Sequence, residues 1–188
     1  MQNLQRVSKV VSAGILTSAF IVGCGGGSSN VSLRGTVATG APVVSGSVTV
    51  FDASGTQVGT GSITADGGYS LSVPSSAKPP FVLKASFDGQ ELYSVKTAAS
   101  DGVANISQLT NAVVAMVSPS GDVSLLASEL VAGAAISADS VDAAVETLQT
   151  ALTPAMQAIE ASGETVGNFL TDAVSADGNT FVWVSSAF

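Results

Sequence analysis

Between Val31 and about Gln108, apolar side chains recur at every second position, in short runs broken by turn residues at intervals of 8 to 12. That period belongs to half-buried strands, and the punctuation to an antiparallel sandwich. Val31, Leu33, Gly35 and Val37 alternate with Ser32, Arg34 and Thr36. Gly40-Ala41-Pro42 separates them from a second strand through Val48, Val50 and Phe51, which Asp52-Ala53-Ser54-Gly55 ends as a turn. Val58 to Ile63 makes a Gly-rich third strand, and Asp66-Gly67-Gly68 leads into a fourth with Tyr69, Leu71 and Val73 on one face. Pro74, Pro79 and Pro80 mark a loop, because proline cannot donate to a central ladder. Phe81, Leu83, Ala85 and Phe87 alternate on a fifth strand, and Asp88-Gly89 is a two-residue hairpin signal. Residues 91–96 and 102–106 complete seven strands.

From Leu109 the period changes from 2 to 3.6. Leu109, Val113, Met116 and Val117 predict a first short helix that Pro119-Ser120-Gly121 ends, and Leu125, Leu126, Leu130 and Val131 predict a second. Val141, Val145, Leu148, Leu152, Met156 and Ile159 form the clearest stripe, with Asp142, Glu146, Gln149, Thr153, Gln157 and Glu160 opposite. Pro154 falls inside this run, where an interior proline costs ~3 kcal/mol. Thr153 is therefore expected to cap, and Pro154 to open a new or kinked helix. A last short helix is expected over Thr165 to Val174, with Phe169 and Leu170 inward. The stripe spans under three heptads and includes small residues, so packing against the sandwich explains it better than a coiled coil or a partner helix.

The amino-terminal stretch follows neither period. Arg6 and Lys9 precede a 14-residue apolar run, Val10 to Gly23, too short for the roughly 20 residues a spanning helix needs but suited to a signal peptide. Ile21-Val22-Gly23-Cys24, followed by Gly25-Gly26-Gly27-Ser28-Ser29, resembles the lipobox of bacterial lipoproteins. The resemblance implies cleavage between Gly23 and Cys24, a diacylglycerol thioether on Cys24 and an acyl chain on its new amino group. Gly25 in place of Asp after the cysteine implies, in that family, passage to the outer membrane, on its periplasmic or surface face. Several acyl chains, at ~0.8 kcal/mol per buried methylene, anchor a protein durably.

A second resemblance is carried by Gly35-Thr36-Val37, Gly40-Ala41-Pro42-Val43, Val48-Thr49-Val50-Phe51-Asp52 and above all Thr64-Ala-Asp-Gly-Gly-Tyr-Ser-Leu-Ser-Val-Pro74. Over about 75 residues these are similar to the carboxypeptidase regulatory-like domain. That family implies a seven-stranded Greek-key sandwich of transthyretin or immunoglobulin type, and no catalytic residues. The expected organisation is then a signal peptide over 1–23, a Gly/Ser tether over 24–30, a β-sandwich over 31–108, and a helical segment with an apolar tail over 109–188. The fold class is mainly β, with the helices making it α+β overall.

Composition narrows the chemistry. The 188 residues include no histidine and one cysteine, 14 acids and 6 bases, and the mean hydropathy is +0.47. Without histidine there is no Ser-His or Cys-His nucleophile, and with one cysteine no intramolecular disulfide and no CxxC metal site. Loss of residues 1–23 removes two bases and no acid, leaving a net charge of −10. That balance argues against nucleic acid as a partner and leaves anchoring to the acyl chains.

The acids were the remaining route to catalysis or a metal. Asp52, Asp66, Asp88 and Asp177 stand beside or near glycine, where an Asp side chain closes turns. No D-x-[DN]-x-[DN]-G loop is present, so calcium is the weaker explanation. Asp139, Asp142 and Glu146 suit a helix start. Asn105 sits where some adhesin sandwiches carry a Lys–Asn isopeptide bond, but the first strand offers Arg34 and no lysine. Asn30-Val-Ser and Asn105-Ile-Ser match a glycosylation pattern that has little meaning in a bacterial lipoprotein. Tyr69, Tyr93 and Trp183 are too scattered to argue a sugar platform, and the strand aromatics suit a core.

The functional expectation is a non-catalytic, lipid-anchored envelope protein that binds or assembles at the outer membrane. Its partners are the membrane through Cys24 and a protein or glycan that the sequence does not identify; no cofactor and no metal is expected beyond the lipid on Cys24. The alternatives are a spacer forming the amino-terminal part of a longer lipoprotein, suggested by the apolar close Thr180 to Phe188, and, less favoured, a carboxylate-based hydrolase.

Overall fold

A computed structural model describes residues 30–161 and 167–172. Seven strands run β1 (Asn30–Thr36), β2 (Ser47–Phe51), β3 (Gln57–Ser62), β4 (Gly68–Pro74), β5 (Phe81–Phe87), β6 (Gln90–Lys96) and β7 (Gly102–Val103). They form a three-stranded sheet, β4-β1-β7, and a four-stranded sheet, β3-β2-β5-β6. The alternation that predicted the strands also sets the interior. Val31 and Leu33, Tyr69, Leu71 and Val73 meet Val48, Val50, Phe81, Leu83, Ala85 and Phe87 in one buried cluster. The fold is mainly β, with two packed sheets and a helical layer.

Asp88 and Gly89 form the predicted two-residue hairpin, with φ of 45° and 74° and Phe87 opposite Gln90. Positive φ at both positions is the twist-matched turn that Asp-Gly favours. The chain departs from an all-antiparallel plan at β7, which runs parallel to β1. The seventh strand is also shorter than the expected 102–106. The Asn105 N–H leaves the ladder and donates to the Leu170 carbonyl, while Ile106 rejoins β1 through a bridge to Val37.

Helix α1 (Gln108–Val117), a 3₁₀ turn (Val123–Leu125), α2 (Leu126–Val131) and α3 (Ala138–Ala161) follow. They cover the outer face of the four-stranded sheet, where Val82, Tyr93 and Val95 join Leu109, Val113, Val114, Leu126 and Leu130. Helix α1 lies against β6, and α3 lies against α1. The stripe on α3 is thus core, buried at Val141, Ala144, Val145 and Leu152.

Pro154 does not divide α3, which is continuous from Ala138 to Ala161. Proline removes one N–H, orphaning the carbonyl four residues earlier at Thr150. Both residues are exposed, so water can satisfy that carbonyl. Thr153 is no cap: its hydroxyl donates back to the Gln149 carbonyl at 3.1 Å. Nor is there a helix over the described part of 165–174. Residues 167–172 make one turn, closed by Asn168 Oδ1 accepting from Leu170 N–H at 2.9 Å and Asp172 Oδ2 accepting from Asn168 N–H at 2.8 Å. Phe169 and Leu170 are buried as expected.

The joint between sheet and helices is specific. Strand β6 is an edge strand, and Tyr93 presents its N–H and C=O away from β5. Asn111 Oδ1 accepts the N–H at 3.0 Å and Thr110 Oγ1 donates to the carbonyl at 2.8 Å. Thr110 Oγ1 also accepts the Ser107 N–H at 2.8 Å, while Ser107 Oγ accepts the Thr110 N–H, so the same side chain completes the cap of α1. Nearby, the fully buried hydroxyl of Ser94 has no hydrogen-bond partner.

These contacts make opposite predictions for two conservative changes. Thr110→Val keeps the shape but strands two buried backbone groups, and is expected to lower unfolding free energy by ~2–4 kcal/mol in urea titrations. Ser94→Ala removes only an unpartnered hydroxyl and is expected to raise it by ~1 kcal/mol. Equal losses in both variants would contradict this assignment of the polar contacts.

Candidate functional site

The described helices pack on the four-stranded sheet and do not cover the outer side of the three-stranded one. Strand alternation turns Arg34 and Thr36 of β1 outward, beside Ser70 and Gly68 of β4. A depression of about 210 Å³ opens among Arg34, Thr36, Gly68, Val103 and Asn105, with Gly35 and Tyr69 also lining it. Gly35 is there because no side chain fits: a Cβ would lie 2.3 Å from the Ala104 carbonyl oxygen and 3.1 Å from the Tyr69 ring. The ring occupies that space and its hydroxyl donates to the Ala104 carbonyl. Burial pushes the phenol far above its ordinary range, so Tyr69 is a fixed donor and not a proton-transfer group.

Asn105 closes the depression. It is fully buried, and its Oδ1 accepts the Thr36 N–H at 3.2 Å while Nδ2 donates to Asp172 O at 2.7 Å and Phe169 O at 3.2 Å. One amide therefore ties β1, the end of the β7 segment and the 167–172 turn together. A side chain so committed, and so buried, is not open to a glycosyl transfer. Its carbonyl and amide faces are both occupied by backbone groups of this chain.

Asp52 and Asp66 close their turns as the motifs predicted, Asp122 does the same without having been singled out, and Asp88 serves its hairpin through a positive φ. Asp52 Oδ1 accepts from Ser54 N–H at 2.9 Å and Thr56 N–H at 3.2 Å, Asp66 Oδ1 from the Thr64 hydroxyl and the Gly68 N–H, and Asp122 Oδ1 from the Ser124 N–H and hydroxyl. Asp101 accepts the Ser32 N–H at 2.7 Å. The Thr64 hydroxyl and then the Gly68 N–H hold Asp66 below the ordinary carboxylate range, and the Ser124 side chain and backbone do the same for Asp122. Glu91 is lowered chiefly by Lys84, which meets it at 2.9 Å, and then by the Tyr93 hydroxyl. Among the described residues no three His, Cys, Asp or Glu side chains gather in a way that could hold a metal ion.

Several residues singled out from the sequence are not brought together here. Gly23, Cys24, Asp177 and Trp183 lie outside the described residues. Tyr93 is buried under the helices and Tyr69 between the sheets. Arg34 reaches the open face and Asn105 lies beneath it. The depression offers the Arg34 guanidinium and backbone groups, an arrangement that can bind by hydrogen bonds and charge. Periodicity could not reveal the role of Asn105, since its partners at 169–172 are distant in sequence. The Ser107-x-x-Thr110 spacing was the one local signal for the α1 clamp. Comparison of the chain with protein-family models, with curated proteins and with solved structures finds no match.

Two outcomes follow. Asn105→Ala leaves the Thr36 N–H and two carbonyls without their buried partner and is expected to cost ~3 kcal/mol or more in urea-induced unfolding. For the turn acids the folded pKa is depressed, so the unfolded chain binds more protons as pH falls through the carboxylate range. Their stabilisation is complete above about pH 5 and lost as pH drops toward their folded values. Asp66→Asn with Asp122→Asn keeps both acceptor oxygens, and should flatten the urea midpoint's dependence on pH below about 5.

Proposed function

We propose that this chain is a lipid-anchored, non-catalytic module of the bacterial cell envelope, held at the outer membrane through Cys24. The observation that carries the reading is the run Val10–Gly23 ending in Ile-Val-Gly-Cys24, with a Gly/Ser segment leading to the first strand at Asn30. A signal sequence explains the apolar run, and lipidation gives the lone cysteine a purpose in a chain with no partner thiol. No helix among the described residues is long and apolar enough to cross a membrane. An acyl anchor accounts for membrane association without one.

The two-sheet architecture supports assigning the body to the transthyretin-like, carboxypeptidase regulatory-like class with a Greek-key sandwich. Thr64–Pro74, the most specific part of that resemblance, makes the Asp66-Gly67 turn and strand β4 with Tyr69, Leu71 and Val73 inward. Modules of that class accompany other activities as binding or folding units. The exposed Arg34 on the outer side of β1 favours binding of a protein or glycan.

Intact mass of detergent-extracted protein from a bacterial host tests the anchor. The expected mass is that of a chain beginning at Cys24 plus a diacylglycerol and an N-acyl group. The Cys24→Ser variant is expected to keep residues 1–23 and carry no lipid. A wild-type protein bearing no lipid, or wild type and variant with the same modification, would overturn the proposal.

A further inference from the structure

The anchor also fixes which end of the sheets meets the bilayer. Six peptide units separate Cys24 from Asn30, so their α-carbons can never be more than about 23 Å apart, at ~3.8 Å per unit. Strand β1 itself is about as long as that maximum, at ~3.3 Å per residue. Its first residue is therefore held beside the membrane, and its last need not be.

The registers show what shares that end. Asn30 lies opposite Pro74, and Phe81 opposite Lys96. The Ala53 N–H donates to the Lys78 carbonyl, and the Asp101 carboxylate accepts the Ser32 N–H. The Pro74–Pro80 loop, the Lys96–Asp101 loop and the Asp52–Thr56 turn thus stand together around the start of β1. This end holds Lys78 and Lys96, two of the four bases that follow residue 23. Its acids are engaged by hydrogen bonds within the chain, Asp52 with Ser54 and Thr56, Asp101 with Ser32, and Glu129 of α2, whose Ala127 and Val131 lie beside Gly55, with Ser118 and Ser120. Lys78 is exposed, and neither lysine has an ion pair among the described residues. The opposite end is unlike it: the 64–68 and 88–89 turns carry Asp66 and Asp88 and no base.

We infer that the module stands end-on, with Lys78 and Lys96 facing the headgroup phosphates of the leaflet that holds Cys24 and the Asp66 and Asp88 turns pointing away. The inference rests on the proposed anchor. A protein of net charge −10 would be repelled by an anionic surface in most orientations, and this end is the one that sets bases, Lys78 and Lys96, among its acids, where the opposite turns carry acids alone. The open face around Arg34 is then presented side-on, clear of the lipid.

The experiment uses the full-length lipoprotein with one added cysteine, Ser76→Cys at the near end or Gln90→Cys at the far end, both exposed positions. Cys24 is blocked by its thioether, so a fluorophore attaches only to the added thiol. Intact mass is taken first: absence of lipid is the failure of the anchor reading, separate from any result on orientation. In phosphatidylethanolamine/phosphatidylglycerol vesicles containing a headgroup-nitroxide lipid, the label at 76 is expected to be quenched at least threefold more than the label at 90. Adding Lys78→Gln and Lys96→Gln is expected to shrink that difference at low salt by half or more, with the urea midpoint unchanged. Equal quenching at 76 and 90 in lipidated protein would overturn the orientation. An undiminished difference without the lysines would overturn their role.

Discussion

At the free edge of the four-stranded sheet, the N–H and C=O of Tyr93 would face water or another chain's strand had α1 not supplied partners for both. Asn111 and Thr110 provide them, in the manner of a neighbouring strand. Unpaired edges invite association with other chains, and covering one with a helix is a common remedy. Here the cover does more, because the hydroxyl that satisfies Tyr93 also caps the helix that brings it. Helix and edge therefore specify each other. Once α1 is fixed on β6, α3 has a surface on which to bury its stripe.

That arrangement divides the molecule's surfaces. The four-stranded sheet is buried on both sides around β5, with Phe81, Leu83 and Ala85 against one sheet and Val82 against the helices. No described helix covers the outer side of the three-stranded sheet. Asn105 secures the far margin of that sheet by drawing the 167–172 turn onto β1. The start of β1 at Asn30 and the outward-facing Arg34 thus lie at one end and on one face of the same sheet. A module held by its amino terminus can be attached at one end and still offer a flat surface to a partner.

How much of this could be read from the chain follows from how local each cause is. The strands with one buried face were legible because period 2 is written in their own residues, as in Tyr69, Leu71 and Val73. The Asp-Gly hairpin and the Asx turns were legible for the same reason. Strand β5 looked like any half-buried strand, since Val82 is a single apolar residue among outward positions. Pro154 was misleading: its cost depends on whether Thr150 faces water, which is a tertiary fact. Asn105 resembled a surface motif because its partners lie more than sixty residues away. The open face around Arg34 was visible only as alternation, and became a site when the helices chose the other sheet.

The central structural claim is that sheets and helices form one cooperative body joined at Tyr93. Native-state hydrogen exchange on the intact protein tests it most directly, by comparing amides of α1 with those of β5 and β6. The account predicts that the Tyr93, Val113 and Leu83 amides open with free energies within about 1 kcal/mol of one another, as a single unit. Helical amides that exchange through a much cheaper opening while β5 and β6 stay protected would show that the helices are an appendage, and would contradict it.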